Sequence, residues 1–245
     1  MPELAKLAEE VFTLHPFDAD LGLWRRVEID GRVLGFDFTF NHQLWFAAAG
    51  ALLAPHVGPE VTRRVERFLE RLPANLCLYR DGLIHHTLVP AGLLVREPRY
   101  AYRQLRDRLQ HAAVQRARAE GYHAFNCYGL ALLATRHPEH ACFRSHTFER
   151  LWRYARAFGF LASLESSPYG WAYNPSGFEI AYAIGVFESR RSGTQAHWVE
   201  QQLRHHFDFE RFALDRDTAD PATLAARLYE ATRLPNLTLR LSQQA

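Results

Sequence analysis

The sequence predicts a mainly helical protein: an α/α toroid, or a partial toroid of helical hairpins, with one or two small β-hairpins in a single domain over residues 1–245. Three observations predict it. Most of the periodic segments repeat apolar residues every three to four positions. Those segments are of two kinds, some apolar all round and some amphipathic and charged. In three places a segment of the first kind precedes one of the second, the order expected of inner helices shielded by outer ones.

Taken along the chain, Glu3–Leu14 reads as a helix with Leu4, Leu7, Ala8 and Val11 on one stripe. A turn-rich loop follows at Phe17-Asp18-Ala19-Asp20-Leu21-Gly22. Asp30-Gly31 then supplies a hairpin turn between Val27-Glu28-Ile29 and the alternating Phe36, Phe38 and Phe40. Asp81-Gly82 offers a second hairpin, between Leu76–Tyr79 and Leu83–Val89. The apolar helices are Leu44–Ala54, Leu130–Ala134 (entered from Tyr122) and Phe178–Phe187. A helix with no polar face has to be surrounded by protein. The amphipathic helices are Pro59–Leu72, Ser145–Phe158 and Thr194–Phe207, and a long arginine-rich one is expected near Tyr100–Glu120. Each unit opens on an aromatic-Asn pair (Phe40-Asn41, Phe125-Asn126 and Tyr173-Asn174), and asparagine is a favoured helix N-cap.

Composition narrows the function classes. With 245 residues, 48% apolar and 23% charged, the chain is long enough and apolar enough to fold around its own core. A net charge of +2 implies no polyelectrolyte partner, so no nucleic acid is expected. The arginines between Arg96 and Arg118 are read as an exposed outer helix. Cys77, Cys127 and Cys142 form no CxxC pair, which points to a reducing, cytoplasmic setting. The longest apolar run, Leu44–Pro55, is too short for the roughly 20 residues of a membrane span, so no membrane partner is expected. Lys6 is the only lysine among 29 basic residues, and arginine forks suit carboxylate ligands.

The candidate chemistry lies where polar residues meet the ends of apolar helices. Glu179 is the one charge in Phe178–Phe187. Burial would raise its pKa towards that of a general acid, and a structural salt bridge to an arginine is the competing reading. Asp37, between phenylalanines, and His42 are its candidate catalytic partners. Trp171, Tyr169 and Tyr173, next to glycine and proline, are candidate sugar platforms, with Asn174, Asn126 and Gln43 as polar substrate contacts. His137, His140, Cys142 and His146 fall within ten residues but match no zinc spacing, so neither a metal nor a cofactor is expected. There is no phosphate-cradling glycine loop and no GxSxG elbow.

At Phe40-Asn41-His42-Gln43-Leu44-Trp45-Phe46-Ala47 and at Tyr173-Asn174-Pro175-Ser176-Gly177-Phe178-Glu179 the chain resembles the six-hairpin glycosidase superfamily of α/α toroids. Its members include unsaturated glucuronyl hydrolases, polysaccharide lyases and epimerases. The resemblance extends in helix pattern over about residues 40–235 and implies a partial or reduced ring at this length. It also implies an oligosaccharide or polysaccharide substrate containing uronate, and acid–base residues near the ring mouth. The expected function is therefore a carbohydrate-active hydrolase, lyase or epimerase. The alternative is a non-catalytic helical array that binds a partner or forms a homo-oligomer.

Overall fold

The computed structural model describes residues 2–90, 92, 98–99, 102, 106, 111–188 and 192–241. Among these the chain is mainly helical, with small antiparallel sheets. Contacts divide it into two compact units. The first holds Met1–Gln115 and Leu132–Trp152, the second Arg116–Ala131 and Arg153–Ala245.

In the first unit, α1 (Pro2–Leu14) leads into a three-stranded antiparallel sheet of β1 (Phe17–Asp18), β2 (Leu23–Val27) and β3 (Val33–Phe36). The expected turn lies between β2 and β3. Gly31 takes φ +84, a conformation that costs glycine least, inside a loop closed by the Glu28 N–H on the Arg32 carbonyl. The second hairpin survives only as isolated pairing of Leu78 with Ile84, around Gly82 at φ +101.

Next come α2 (Phe40–Leu53) and α3 (Pro59–Asn75), which pack on each other. Phe40, Leu44, Ala47 and Ala51 on α2 meet the core, as do Val61, Val65, Phe68 and Leu69 on α3. Each fully buried large side chain contributes roughly 1.5–3 kcal/mol. The helix α2 is not enclosed on every side as its apolar sequence suggests, because His42 and Ala49, seven residues apart, reach solvent on one line. On α1, Phe12 enters the core and stacks on Phe46 at 4.8 Å. The expected stripe instead faces out, with Leu4, Leu7 and Val11 between 50% and 67% exposed and Ala8 exposed beside them.

The long helix α4 (Ala112–Arg136) contributes residues to both units. The arginine-rich stretch before it lies largely outside the described residues. The expected helix Ser145–Phe158 is divided into α5 (His146–Ala155) and α6 (Phe158–Ser166). In the second unit, α7 (Ser176–Phe187) is buried on nearly all sides and packs closely on α8 (Ser192–His206). Gly177 permits that approach, since a Cβ there would lie 2.3 Å from the Trp198 carbonyl oxygen. The chain continues through β4 (Phe207–Asp208), β5 (Ala213–Leu214), α9 (Pro221–Ala226) and a 3-10 turn at Arg227–Arg233.

None of the three asparagines caps a helix. The α2 cap is Thr39, Asn126 lies inside α4, and the α7 cap is Pro175. A repeat of another kind is present. After α1, Asp18 accepts the N–H groups of Asp20 and Leu21, and after α8, Asp208 accepts those of Glu210 and Arg211. Each aspartate opens a two-stranded antiparallel pairing closed by a residue at positive φ, Gly22 at +67 and Phe212 at +53.

Candidate functional site

Two groups of polar and aromatic residues stand out, one in each unit. In the first unit, an open cleft of about 240 Å³ is lined by His15, Trp24, Arg25, Arg26, Val27, Glu28, Asp37, His42, Gln43 and Phe46. A larger depression of about 370 Å³ runs along α3, but its charges are mostly paired, Glu60 with Arg63 and Arg64, and Arg67 with Glu70.

The cleft owes its chemistry to the start of α2. The segment 37–39 is held by main-chain bonds, the Phe40 N–H to the His86 carbonyl and the Leu88 N–H to the Phe38 carbonyl. This places Asp37 just ahead of the helix. Its Oδ1 accepts the Thr39 N–H at 2.9 Å and its Oδ2 the His42 Nδ1–H at 2.8 Å. Burial alone would raise the Asp37 pKa, but the His42 and Thr39 hydrogen bonds outweigh it and bring the carboxyl down to about 2. The same hydrogen bond raises His42 above the ordinary imidazole value, against burial and the nearby Arg26 charge. The His42 side chain is 62% exposed and lines the open cleft.

Gln43, expected to touch substrate, is instead saturated by main chain. Its Oε1 accepts the Trp24 N–H, and its Nε2 donates to the Trp24 and Asp37 carbonyls. It holds β2 against the start of α2 and so fixes the backbone of Asp37.

In the second unit Glu179 is fully buried, and the salt bridge that the sequence left open is present. Arg227 bonds Glu179 and also Glu230, the latter at 2.8 Å, and donates to Asn174 Oδ1. Burial pushes Glu179 up to about 8, opposed by Arg227 and reinforced by Glu230. Glu230 is raised by burial as well, and Arg227 opposes that rise too. Two sealed carboxylates thus share one guanidinium. Sequence reasoning missed Arg227 and Glu230, although their i, i+3 spacing after a proline-started helix was a signal for a local ion pair.

Trp171, expected on a surface or cleft, is 3% exposed and packs against Trp198 and His205. The reason is Gly170, which turns the chain so tightly that a Cβ would lie 2.3 Å from the Leu164 carbonyl oxygen. Asn126 is buried in mid-helix. Asn174 is buried too, donating to the Gly121 and Tyr169 carbonyls. Tyr169 and Tyr173 do reach solvent and lie together, their ring centroids 6.2 Å apart. Tyr122 completes a trio at 5.8 and 6.1 Å. Its hydroxyl is pushed up to about 12 by burial and by the bond to Tyr173. Arg118 stands 5.5 Å from the Tyr169 ring. Tyr122 and Arg118 lie three and seven residues before the Phe125-Asn126 pair, and only folding shows their place beside Tyr169.

Near the other candidate residues, the His140 ring accepts the Cys142 N–H. Cys77, Cys127 and Cys142 are free thiols. Among the described residues no group of three metal-binding side chains gathers, and no helix is long and apolar enough to cross a membrane.

No family model and no solved structure matches the chain. A curated protein does. Archaeal glycosylation protein Q of Haloferax volcanii is 40% identical over 249 residues, covering 97% of this chain and 67% of that protein. With that identity sustained along nearly its whole length, this chain belongs to the family of archaeal glycosylation protein Q.

Proposed function

We propose that the chain is a carbohydrate-active enzyme with a glycosylation-related role, using the Asp37–His42 pair for acid–base chemistry on a uronate-containing glycan. The observation that carries this reading is the 2.8 Å bond between a half-buried carboxylate and an exposed histidine in an open cleft. The printed name of the Haloferax relative, a glycosylation protein, fits a sugar substrate. Arg25 and Arg26 on the cleft rim suit a sugar carboxylate.

Glycoside hydrolysis ordinarily places two carboxyl groups on either side of the scissile bond. The cleft instead offers an imidazole backed by a carboxylate. That combination suits proton transfer at the carbon next to a uronate carboxylate, ending in elimination or epimerisation. Within the second unit, Tyr122, Tyr169 and Tyr173 with Arg118 form a sugar-binding surface of their own. On this reading Glu179 belongs to the interior ion pair and not to the chemistry. The helical pairs α2–α3 and α7–α8 are hairpins of a toroid or partial toroid of the six-hairpin type, and the free thiols fit a cytoplasmic setting.

The test is turnover of a panel of glucuronate- and galacturonate-containing oligosaccharides, read as a new carbon–carbon double bond or an inverted carbon. His42→Asn keeps a donor for Asp37 and removes the outward nitrogen, and it is expected to lower turnover at least about 100-fold. An inert wild type, or a fully active His42→Asn, refutes the proposal.

The second reading, a helical array that binds a partner or self-assembles, is favoured by the exposed α1 stripe. Light scattering of Leu7→Glu beside wild type tests it. A wild-type oligomer that falls to monomer in the variant supports it, and a wild-type monomer excludes self-assembly.

A further inference from the structure

We propose that His15 is a second catalytic residue of the cleft, the proton acceptor that works opposite the donor His42. The inference rests on the acid–base reading above and supplies what that reading lacks, a second group to take a proton while His42 gives one.

The geometry fixes opposite roles for the two imidazoles. His15 follows the last residue of α1, and its Nδ1 lies 3.3 Å from the Val11 carbonyl oxygen. A carbonyl only accepts, so Nδ1 carries the hydrogen and Nε2 keeps its lone pair. The ring packs on a neighbour and the backbone that carries it is anchored. Its centroid is 4.9 Å from that of Phe46, another cleft residue, and Arg64 on α3 donates to the carbonyls of Thr13 and His15. His42 has the complementary arrangement. Its Nδ1–H is taken by Asp37, so in the charged ring the Nε2–H is the proton left to give.

The charged and titratable groups around His15 are Arg64 from α3, Arg25, Arg26 and Glu28 from β2 and the loop after it, and Asp37 and His42 at the start of α2. Burial, with the Arg64 charge, holds His15 below the ordinary imidazole value. His42 is held above it by Asp37. Between the two values His15 is neutral and His42 charged, the state in which one accepts and the other donates.

The reaction balances without any further reagent. His15 Nε2 takes the proton from the carbon bearing the sugar carboxylate. In elimination the electron pair left behind forms a double bond to the neighbouring carbon as its bond to the glycosidic oxygen breaks, and that oxygen takes the His42 Nε2 proton. In epimerisation His42 gives its proton to the same carbon from the opposite side. Either way His15 ends charged and His42 neutral, and exchange with water restores both.

The experiment uses the full chain and the uronate oligosaccharide panel in deuterated water, following both loss of the carbon-bound proton and formation of product. His15→Asn keeps a donor for the Val11 carbonyl and removes Nε2. It is expected to lower proton loss and product formation together, at least about 100-fold. His42→Asn is expected to lower product formation more than proton loss. The wild-type profile of kcat/KM against pH is expected to be bell-shaped, with an acidic limb, where His15 charges, that disappears in His15→Asn. Circular dichroism establishes that the variants fold, and His15→Gln replaces any that does not. Proton loss in folded His15→Asn or His15→Gln within about threefold of wild type overturns this inference and leaves the proposed function standing. A wild type inert to the whole panel removes both.

Discussion

Replacing Glu179 with glutamine tests the electrostatics of the second unit. In the folded chain this carboxyl titrates at about 8, against 4.5 for an ordinary glutamate. Between those values the folded state holds a proton that the unfolded state has released, so stability falls as pH rises through the window. One proton changes stability by about 1.4 kcal/mol per pH unit at most, so the change between pH 5 and pH 7 is at most about 3 kcal/mol. Glutamine keeps the shape and the acceptor for Arg227 but cannot titrate. The difference in stability between wild type and Glu179→Gln, from urea unfolding at each pH, therefore reads Glu179 together with the Glu230 that shares Arg227, and cancels titrations common to both proteins. Wild type is expected to lose about 2.5 kcal/mol relative to the variant from pH 5 to pH 7, since an unfolded glutamate is still partly protonated at pH 5. A flat difference would mean that Arg227 keeps Glu179 ionised throughout, and the account of burial outweighing the ion pair would be wrong.

Asp37→Asn removes the charge that raises His42 and leaves only a neutral amide oxygen as acceptor, so burial and Arg26 weigh more heavily. The His42 pKa, followed by nuclear magnetic resonance, is expected to drop below 6.5, and an unchanged value would break the assignment of cause. Gly177→Ala drives a Cβ to 2.3 Å from the Trp198 carbonyl oxygen, and rigid backbone on both helices leaves little room to relax. A loss of about 1–3 kcal/mol is expected in urea unfolding. Gln43→Met keeps the bulk and removes three hydrogen bonds to buried main chain. With each orphaned group costing about 1–3 kcal/mol, a loss of at least about 3 kcal/mol in unfolding free energy is expected. The His42 pKa should also move towards 6.5 as Asp37 loses its support.

The helices were legible in the sequence because a run such as Pro59–Leu72 repeats its apolar residues at the helical period, and that period survives folding as the buried line Val61, Val65, Phe68, Leu69 and Leu72. Their ends were less legible. Propensity favours asparagine as a cap, yet Asn174 satisfies the carbonyls of Gly121 and Tyr169 from a distant part of the chain, an interaction no local rule contains. The same holds for α1. Periodicity finds its apolar stripe, but Phe12 lies on another face, and one phenylalanine stacked on Phe46 and edge-on to Trp24 decides which side turns inward. The paired turns after α1 and α8 escaped notice because they share little beyond Phe-Asp and an acidic residue two positions on. What they share is the aspartate that bonds two following N–H groups, and that needs one side chain only.

The candidate site shows why a single unusual residue in a sequence says where to look and not what is there. Glu179 drew attention as a lone charge in an apolar helix, and its burial and raised pKa are what that position requires. Yet the low-polarity surroundings that raise a carboxyl also seal it from solvent, and Arg227 and Glu230 close them further. Asp37 and His42 drew less attention because an aspartate near a strand end is commonly solvated. Their five-residue spacing carries no helical or strand periodicity, and it becomes a contact only because the chain turns from extended to helical at Thr39. An acid–base group has to be tuned and reachable at once. A carboxylate partly buried at a helix start, with a histidine one turn into that helix, meets both conditions, since the aspartate is shielded enough to hold the proton's partner and the histidine stays open to a ligand.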